Sequence, residues 1–170
     1  YIFMTRVVVP GGHISSSQWD ALNVIADTVA DGTLRMTTRQ AIQFHGTTKK
    51  SLRDLATQLD AIVMSSFGGC GDVVRNVVAC PDLTIDGPEE LRLLPEKLAK
   101  AFRPSTTAYW EIFVDGTRAV DKQEHERDLY GATYLPRKFK IAIAHPDENC
   151  VDVYAQDVGI IPVLRENDVL

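Results

Sequence analysis

LRMTTRQAIQFHG, residues 34–46, decides how the chain is read. It mixes apolar residues with threonines between Gly32 and Gly46, and it reads as a strand with room for a bend midway. An amphipathic segment stands on either side. SSSQWDALNVIADTVADG, 15–32, offers serine N-caps, apolar residues at helical spacing (Trp19, Leu22, Ile25, Val29) and a glycine stop. TKKSLRDLATQLDAIV, 48–63, sets Leu52, Leu55, Leu59 and Ile62 on one side of a second helix. Ahead of all this, YIFMTRVVV, 1–9, is an apolar β-rich run ended by Pro10-Gly11-Gly12.

The order strand, helix, strand, helix fits half of a ferredoxin-like α+β unit. SSFGGCGD, 65–72, is a glycine-rich boundary, and VVRNVVAC, 73–80, reads as a short strand beyond it. A third helix is expected over GPEELRLLPEKLAKAFR, 87–103, where Pro88 and two glutamates suit the positive end of the helix dipole. Further strands are expected at YWEIFVDG, 109–116, RKFKIAIAH, 137–145, and VDVYAQDVGIIPVL, 151–164. The expected class is α+β: a ferredoxin-like half domain over 1–66, then the first part of a second domain over 67–170, with mixed antiparallel sheets and flanking helices.

The 170 residues suffice for one compact domain or two small units sharing a core. With 18 Lys+Arg against 23 Asp+Glu the formal charge is −5, which argues against nucleic acid as a partner, so any anion site is local. No apolar run approaches the roughly 20 residues of a bilayer span, and no leader pattern opens the chain; the reading is a cytoplasmic protein with no membrane partner. Both ends look cut, the first in a strand-like run without Met, so a piece of something longer is expected. Cys70, Cys80 and Cys150 are odd in number and form no CxxC pair, which argues against a disulfide framework and a zinc site; reduced thiols are expected.

Cations interrupt the apolar runs. If 137–145 is a strand, Lys138, Lys140 and Ala142 share one face and Phe139, Ile141 and Ile143 the other. The two lysines then leave the backbone about 6.6 Å apart. At an effective dielectric near 20, that spacing means a repulsion on the order of 2.5 kcal/mol. Arg6 breaks YIFMTRVVV and Arg75 breaks VVRNVV in the same way. In a continuous strand over 34–46, Arg35, Thr37, Arg39, Ala41, Gln43 and His45 would fall on one face. Taken singly, each cation reads as a solvated edge charge. Four strand-like segments each carrying one, with few carboxylates nearby, instead point to a shared anionic ligand, since an unpaired buried charge costs several kcal/mol. FGGCGD and HGTTKKS match neither a P-loop nor a dinucleotide fingerprint and read as turns where backbone packs closely.

The same stretches carry a resemblance. YIFMTRVVVPGG before a Gln-Trp helix, then LRMTTRQAIQFHG, CGDVVRNVVACP and YLPRKFK, in that order over nearly the whole chain, resemble successive motifs of the siroheme-dependent sulfite and nitrite reductases. The resemblance implies a siroheme, a tetrapyrrole edged with carboxylates, joined to a [4Fe-4S] cluster. It makes Arg6, Arg75, Lys138 and Lys140 the catalytic group that binds and protonates an oxyanion. It makes Arg35, Thr37, Arg39, Gln43, His45 and Arg137 contacts of the siroheme. The family's cluster cysteines match nothing in this chain, so the cluster ligands are expected outside it.

The implied activity is the six-electron reduction of sulfite to sulfide, with ferredoxin or a flavoprotein reductase as donor and the remainder of the hemoprotein as partner; this chain alone is expected to be inactive. Lys140 and Phe44-His45-Gly46 stand in the sulfite form, and the ending VDVYAQDVGIIPVL leans toward ferredoxin-dependent members. The alternatives are a nitrite reductase fragment and a noncatalytic module for a tetrapyrrole or oxyanion.

Overall fold

The computed structural model describes residues 1–85, 87–104, 112–114, 117–120, 129–130, 134–165 and 168–169. Its first layer is built from local signals. Strand β1 (Ile2–Val7) is followed by a 3-10 turn at Pro10–Gly12 and helix α1 (Ser16–Val29). The helix starts at a capping box: the Gln18 amide N–H donates to Ser15 Oγ at 3.2 Å and the Ser15 N–H donates to Gln18 Oε1 at 3.1 Å.

The 34–46 stretch is not one bent strand. It folds back on itself as β2 (Leu34–Met36) and β3 (Ile42–Thr48), paired antiparallel with Arg35 opposite Gln43. Between them Thr37 N–H donates to the Ala41 carbonyl at 2.9 Å, and Gln40 takes a positive φ of 53°. Because directly opposed residues share a sheet face, Arg35 and Gln43 remain on one side, while Thr37 and Arg39 leave the strand for the turn.

β3 is the central strand, order β1-β3-β2, and helix α2 (Leu52–Ala61) completes the layer. Val7, Ile42 and Phe44 from the sheet meet Leu22, Ile25, Leu55 and Leu59 from the helices in one buried cluster. Each fully buried leucine there contributes about 1.5–3 kcal/mol. Trp19, placed with them by spacing, is 41% exposed.

The second layer joins residues far apart in sequence. β4 (Val78–Ala79), β7 (Ile141–Ile143) and β8 (Val158–Ile160) form a parallel sheet in the order β4-β7-β8, so the α+β fold mixes antiparallel and parallel sheets. Parallel neighbours need long crossovers, and helices α3 (Pro81–Ile85) and α4 (Glu89–Ala101) occupy part of the first one. The short helix α3 was not anticipated. In chain order, the hairpin of β5 (Ile112–Val114) and β6 (Thr117–Val120) precedes β7, and that of β9 (Leu164–Arg165) and β10 (Asp168–Val169) follows β8.

The strand expected over 73–80 is regular only at its end. Arg75 N–H donates to the Phe139 carbonyl and Phe139 N–H to the Val73 carbonyl, but the Val77 carbonyl is taken by Gly11 N–H, which diverts the ladder. The strand expected at 151–164 is likewise broken: Val153–Ala155 is a 3-10 turn, leaving β8 and β9. Residues 109–111 and 115–116 of the strand expected at 109–116 lie outside the described residues. Among the described residues, no helix is long and apolar enough to cross a membrane.

Candidate functional site

Alternation into β7 separates two environments. Phe139, Ile141 and Ile143 turn into the apolar cluster around Val73, Val77 and Leu83, while Lys138 and Lys140 line a cleft of about 880 Å³. Arg6, Thr37, Arg39, Gln43 and Arg75 line the same cleft. Seven of the ten residues singled out by sequence are thus brought to one cavity. Arg35, His45 and Arg137 are not among its lining residues.

Of these cations, only Arg6 and Arg35 sit inside regular strands. Arg75, Lys138 and Lys140 flank the isolated bridge Val74↔Phe139, in extended backbone that still alternates. Arg39 sits in the β2–β3 turn.

Two guanidinium groups from the two layers converge on one carbonyl. Arg6 Nη1 donates to Gly69 O at 3.1 Å, and Arg75 Nη1 donates to the same oxygen at 3.3 Å. Arg75 Nε also donates to Gly71 O at 2.8 Å. Gly69 permits the approach: a Cβ there would lie 2.4 Å from the Arg6 carbonyl oxygen, closer than any real side chain stands. Glycine-rich 65–72 is therefore a close-packing turn, and also the ledge on which the two arginines rest.

Gln43 aims Arg6 from the other side. In the amide orientation its neighbours require, the Gln43 oxygen accepts from Arg6 Nη2 at 2.7 Å and Nε at 3.1 Å, and its nitrogen donates to His45 Nε2 at 3.1 Å. His45 thus acts on the cleft through Gln43 rather than by lining it.

Arg39 is wired to the protein itself. Its guanidinium donates to Gln156 Oε1 at 2.6 Å, to Asn76 O at 2.7 Å and to Ile141 O at 3.1 Å, while its Nε is buried without a partner. Burial, and after it the charge of Arg75, pushes Arg39 below the ordinary arginine range, with Asp157 opposing. Thr37 Oγ1 accepts from the N–H groups of Arg39 and Ala41, bracing the turn.

Three positioning residues escaped the sequence reading. Asn76, 4% exposed, accepts from Val9 N–H at 2.8 Å and donates to the Val9 and Arg39 carbonyls at 2.7 Å each. Gln40 grips the Ala79 backbone at both its N–H and its carbonyl. Asp157 accepts from Lys140 N–H at 2.8 Å, fixing the backbone under that lysine. Asn76 carried a signal in sequence, a lone amide in the apolar run VVRNVV; the other two carried none.

The cleft is short of internal counter-charge. Among the described residues, none of Arg6, Arg75, Lys138 and Lys140 forms an ion pair with a carboxylate. Several uncompensated cations gathered around one cavity favour an anionic guest. No group of three or more His, Cys, Asp or Glu is gathered for a metal ion among the described residues.

Residues 1–62 match the nitrite/sulfite reductase ferredoxin-like half domain, and 95–169 match the nitrite and sulphite reductase 4Fe-4S domain. A sulfite reductase (NADPH) hemoprotein beta-component from Staphylococcus carnosus is 44% identical over the whole chain, which spans 30% of it. One of the same name from Methylobacterium nodulans is 42% identical, again over the whole chain, with 29% spanned.

Among solved structures, the Mycobacterium tuberculosis NirA protein superposes over 99% of this chain and 27% of its own, with a TM-score of 0.65 and 22% identity. Dissimilatory sulfite reductase I does so over 98% and 34%, with a TM-score of 0.63 and 15% identity. At those identities the two structures show a shared fold.

Proposed function

The chain belongs to the nitrite and sulfite reductase family, and from that premise we propose that it is the part of a sulfite reductase hemoprotein that holds the oxyanion being reduced. One observation carries the reading: guanidinium groups from two layers share the Gly69 carbonyl beside two lysines that no described carboxylate neutralises.

A siroheme suits this donor set. Its carboxylates would meet a cleft rich in unpaired cations and one buried Arg39 N–H without an acceptor. Arg39, Gln43 and Thr37, which line the cleft, would hold it, with Arg35, His45 and Arg137 at a remove. When bound, the tetrapyrrole iron supplies the electron chemistry. The ligands of a [4Fe-4S] cluster are assigned to residues outside this chain.

The chain's own residues divide the remaining work. Arg6 and Arg75 bind the oxyanion by charge-assisted hydrogen bonds; a guanidinium does not give up its proton, so these two hold and orient. Lys138 and Lys140 can release a proton from Nζ to the oxygens that leave as water. Asp157 and the Val158 N–H, which donates to the Lys140 carbonyl at 3.0 Å, keep Lys140 in register. Preorganised donors aimed at developing charge account for the largest share of such a rate enhancement.

Sulfite is favoured over nitrite by Lys140 and Phe44-His45-Gly46 and by the names of the relatives. Those names also support an NADPH-linked flavoprotein as the electron donor; ferredoxin, toward which the ending leans, has no such support. A division at 66/67 and a cytoplasmic setting complete the proposal. The test is steady-state reduction of sulfite and nitrite by the purified full-length enzyme. A higher kcat/KM for sulfite, lost in Arg75→Ala, is expected; tetrapyrrole binding without reduction of either anion would favour the noncatalytic module instead.

A further inference from the structure

Cys80 and Cys150, separated by 70 positions, stand with their sulfurs 3.2 Å apart. Each is held there by its own surroundings. Cys80 follows β4, donates its N–H to the Ile143 carbonyl at 2.9 Å, and is 1% exposed. Its carbonyl accepts from Leu83 N–H at 3.1 Å as helix α3 begins. Cys150 lies on an exposed loop that borders the cleft. That loop is pinned on both sides of the thiol: Asn149 Oδ1 accepts from Val153 N–H at 2.6 Å, and Val151 and Val153 pack on Val78, Ala142 and Ala144. The thiol contact is therefore a product of the fold. Cys70 differs, its sulfur accepting from Arg6.

The geometry points to a dithiol–disulfide site, in which a small disulfide of the glutathione type oxidises Cys80 and Cys150 to a cross-link between the start of α3 and the rim of the cleft. About 1 Å of closure separates the two sulfurs from the roughly 2.05 Å of a covalent bond. Cys150, the accessible thiol, loses its proton to solvent and attacks one sulfur of the reagent, releasing the first small thiol. Cys80 then loses its proton and displaces the second. One reagent S–S bond and two protein S–H bonds are broken, one protein S–S bond forms, and two small thiols leave, so no other oxidant is needed. Burial, then the Cys80 contact and the Glu148 charge, push the Cys150 thiol up to about 11. Exchange is accordingly slow near neutrality and accelerates about tenfold per pH unit until pH 10, because the thiolate is the attacking species.

The test is peptide mapping by mass spectrometry of full-length protein incubated with oxidised glutathione and then alkylated; it is independent of the sulfite assay. Expected are a cross-linked peptide pair carrying Cys80 and Cys150, the tenfold rise per pH unit, and loss of the cross-link in Cys150→Ser. Cys80→Ser should trap Cys150 as a mixed disulfide with glutathione. Should the buried Cys80 variant fail to fold, the exposed Cys150→Ser decides alone. The proposal is overturned if wild-type Cys80 stays alkylatable after Cys150 has reacted, if Cys70 supplies the partner, or if neither thiol reacts while Cys70 does.

Discussion

The two layers of the molecule are held together by different means. The β1-β3-β2 sheet and its two helices rest on apolar periodicity, a capping box and short connections, all of them local. The β4-β7-β8 sheet also has an apolar core, but its edge against the first layer is fixed by buried and half-buried side chains gripping backbone: Asn76 on Val9, Gln40 on Ala79, Arg39 on Asn76 and Ile141. The cleft lies along that polar seam. The lesson is that the cleft takes one arginine from each layer, so the precision of the proposed anion site depends on the seam more than on either core.

The difference is testable by substitution. The largest effect is expected in the second layer at Lys140: Lys140→Ala in the full-length enzyme should lower kcat for sulfite by about 10²–10³-fold, the usual loss when one donor to developing charge is removed. A decrease of less than threefold, read in a steady-state assay, would remove Lys140 from the chemistry.

Next comes the seam itself. Asn76→Ala strips a buried N–H and two carbonyls of their partner, costing on the order of 3 kcal/mol. That is similar to about 3 kcal/mol for Leu22→Ala in the first layer's core. Urea titration of both variants would compare them, and a cost under about 1 kcal/mol for Asn76→Ala would mean that apolar packing alone joins the layers.

Gln43→Leu should be milder. It leaves the sheet intact but frees Arg6 on one side, so KM for sulfite should rise about tenfold with little change in urea midpoint, a loss of about 1.4 kcal/mol. Ser15→Ala, at a residue that does not line the cleft, should cost about 1 kcal/mol of stability through its cap and leave KM unchanged. The smallest effect is on pH dependence. The native Cys150 thiol keeps its proton up to about 11 against an ordinary value of 9.0, so stability present below pH 9 is lost as pH rises from 9 to 11. Cys150→Ser should flatten that fall in a series of melting curves.

This contrast also explains what could be read from residues alone. The helix bounds, the Leu55 and Leu59 face and the separation of Lys138 and Lys140 from Phe139 and Ile141 follow from periods of 3.6 and 2, which a sequence displays directly. The hairpin in 34–46 was misjudged because its turn lacks glycine or proline; Gln40 accepts a positive φ through side-chain bonds to Ala79, a partner 39 positions away. The parallel pairing of β4 with β7 was hidden for the same reason, its register depending on contacts over more than 60 residues. Arg39 stands out in sequence and lines the cleft, yet its wiring to Gln156, 117 positions on, was not legible.

The central claim is that Arg6 and Arg75 act on one anion from two layers. A double-mutant cycle on sulfite binding by the full-length enzyme, with Arg6→Ala, Arg75→Ala and the pair, tests it most directly. Each single change should weaken binding at least tenfold, and the double should fall short of the product of the two by about tenfold, a coupling of about 1.4 kcal/mol. Strictly multiplicative losses, or an unaltered affinity in either single variant, would contradict a shared site.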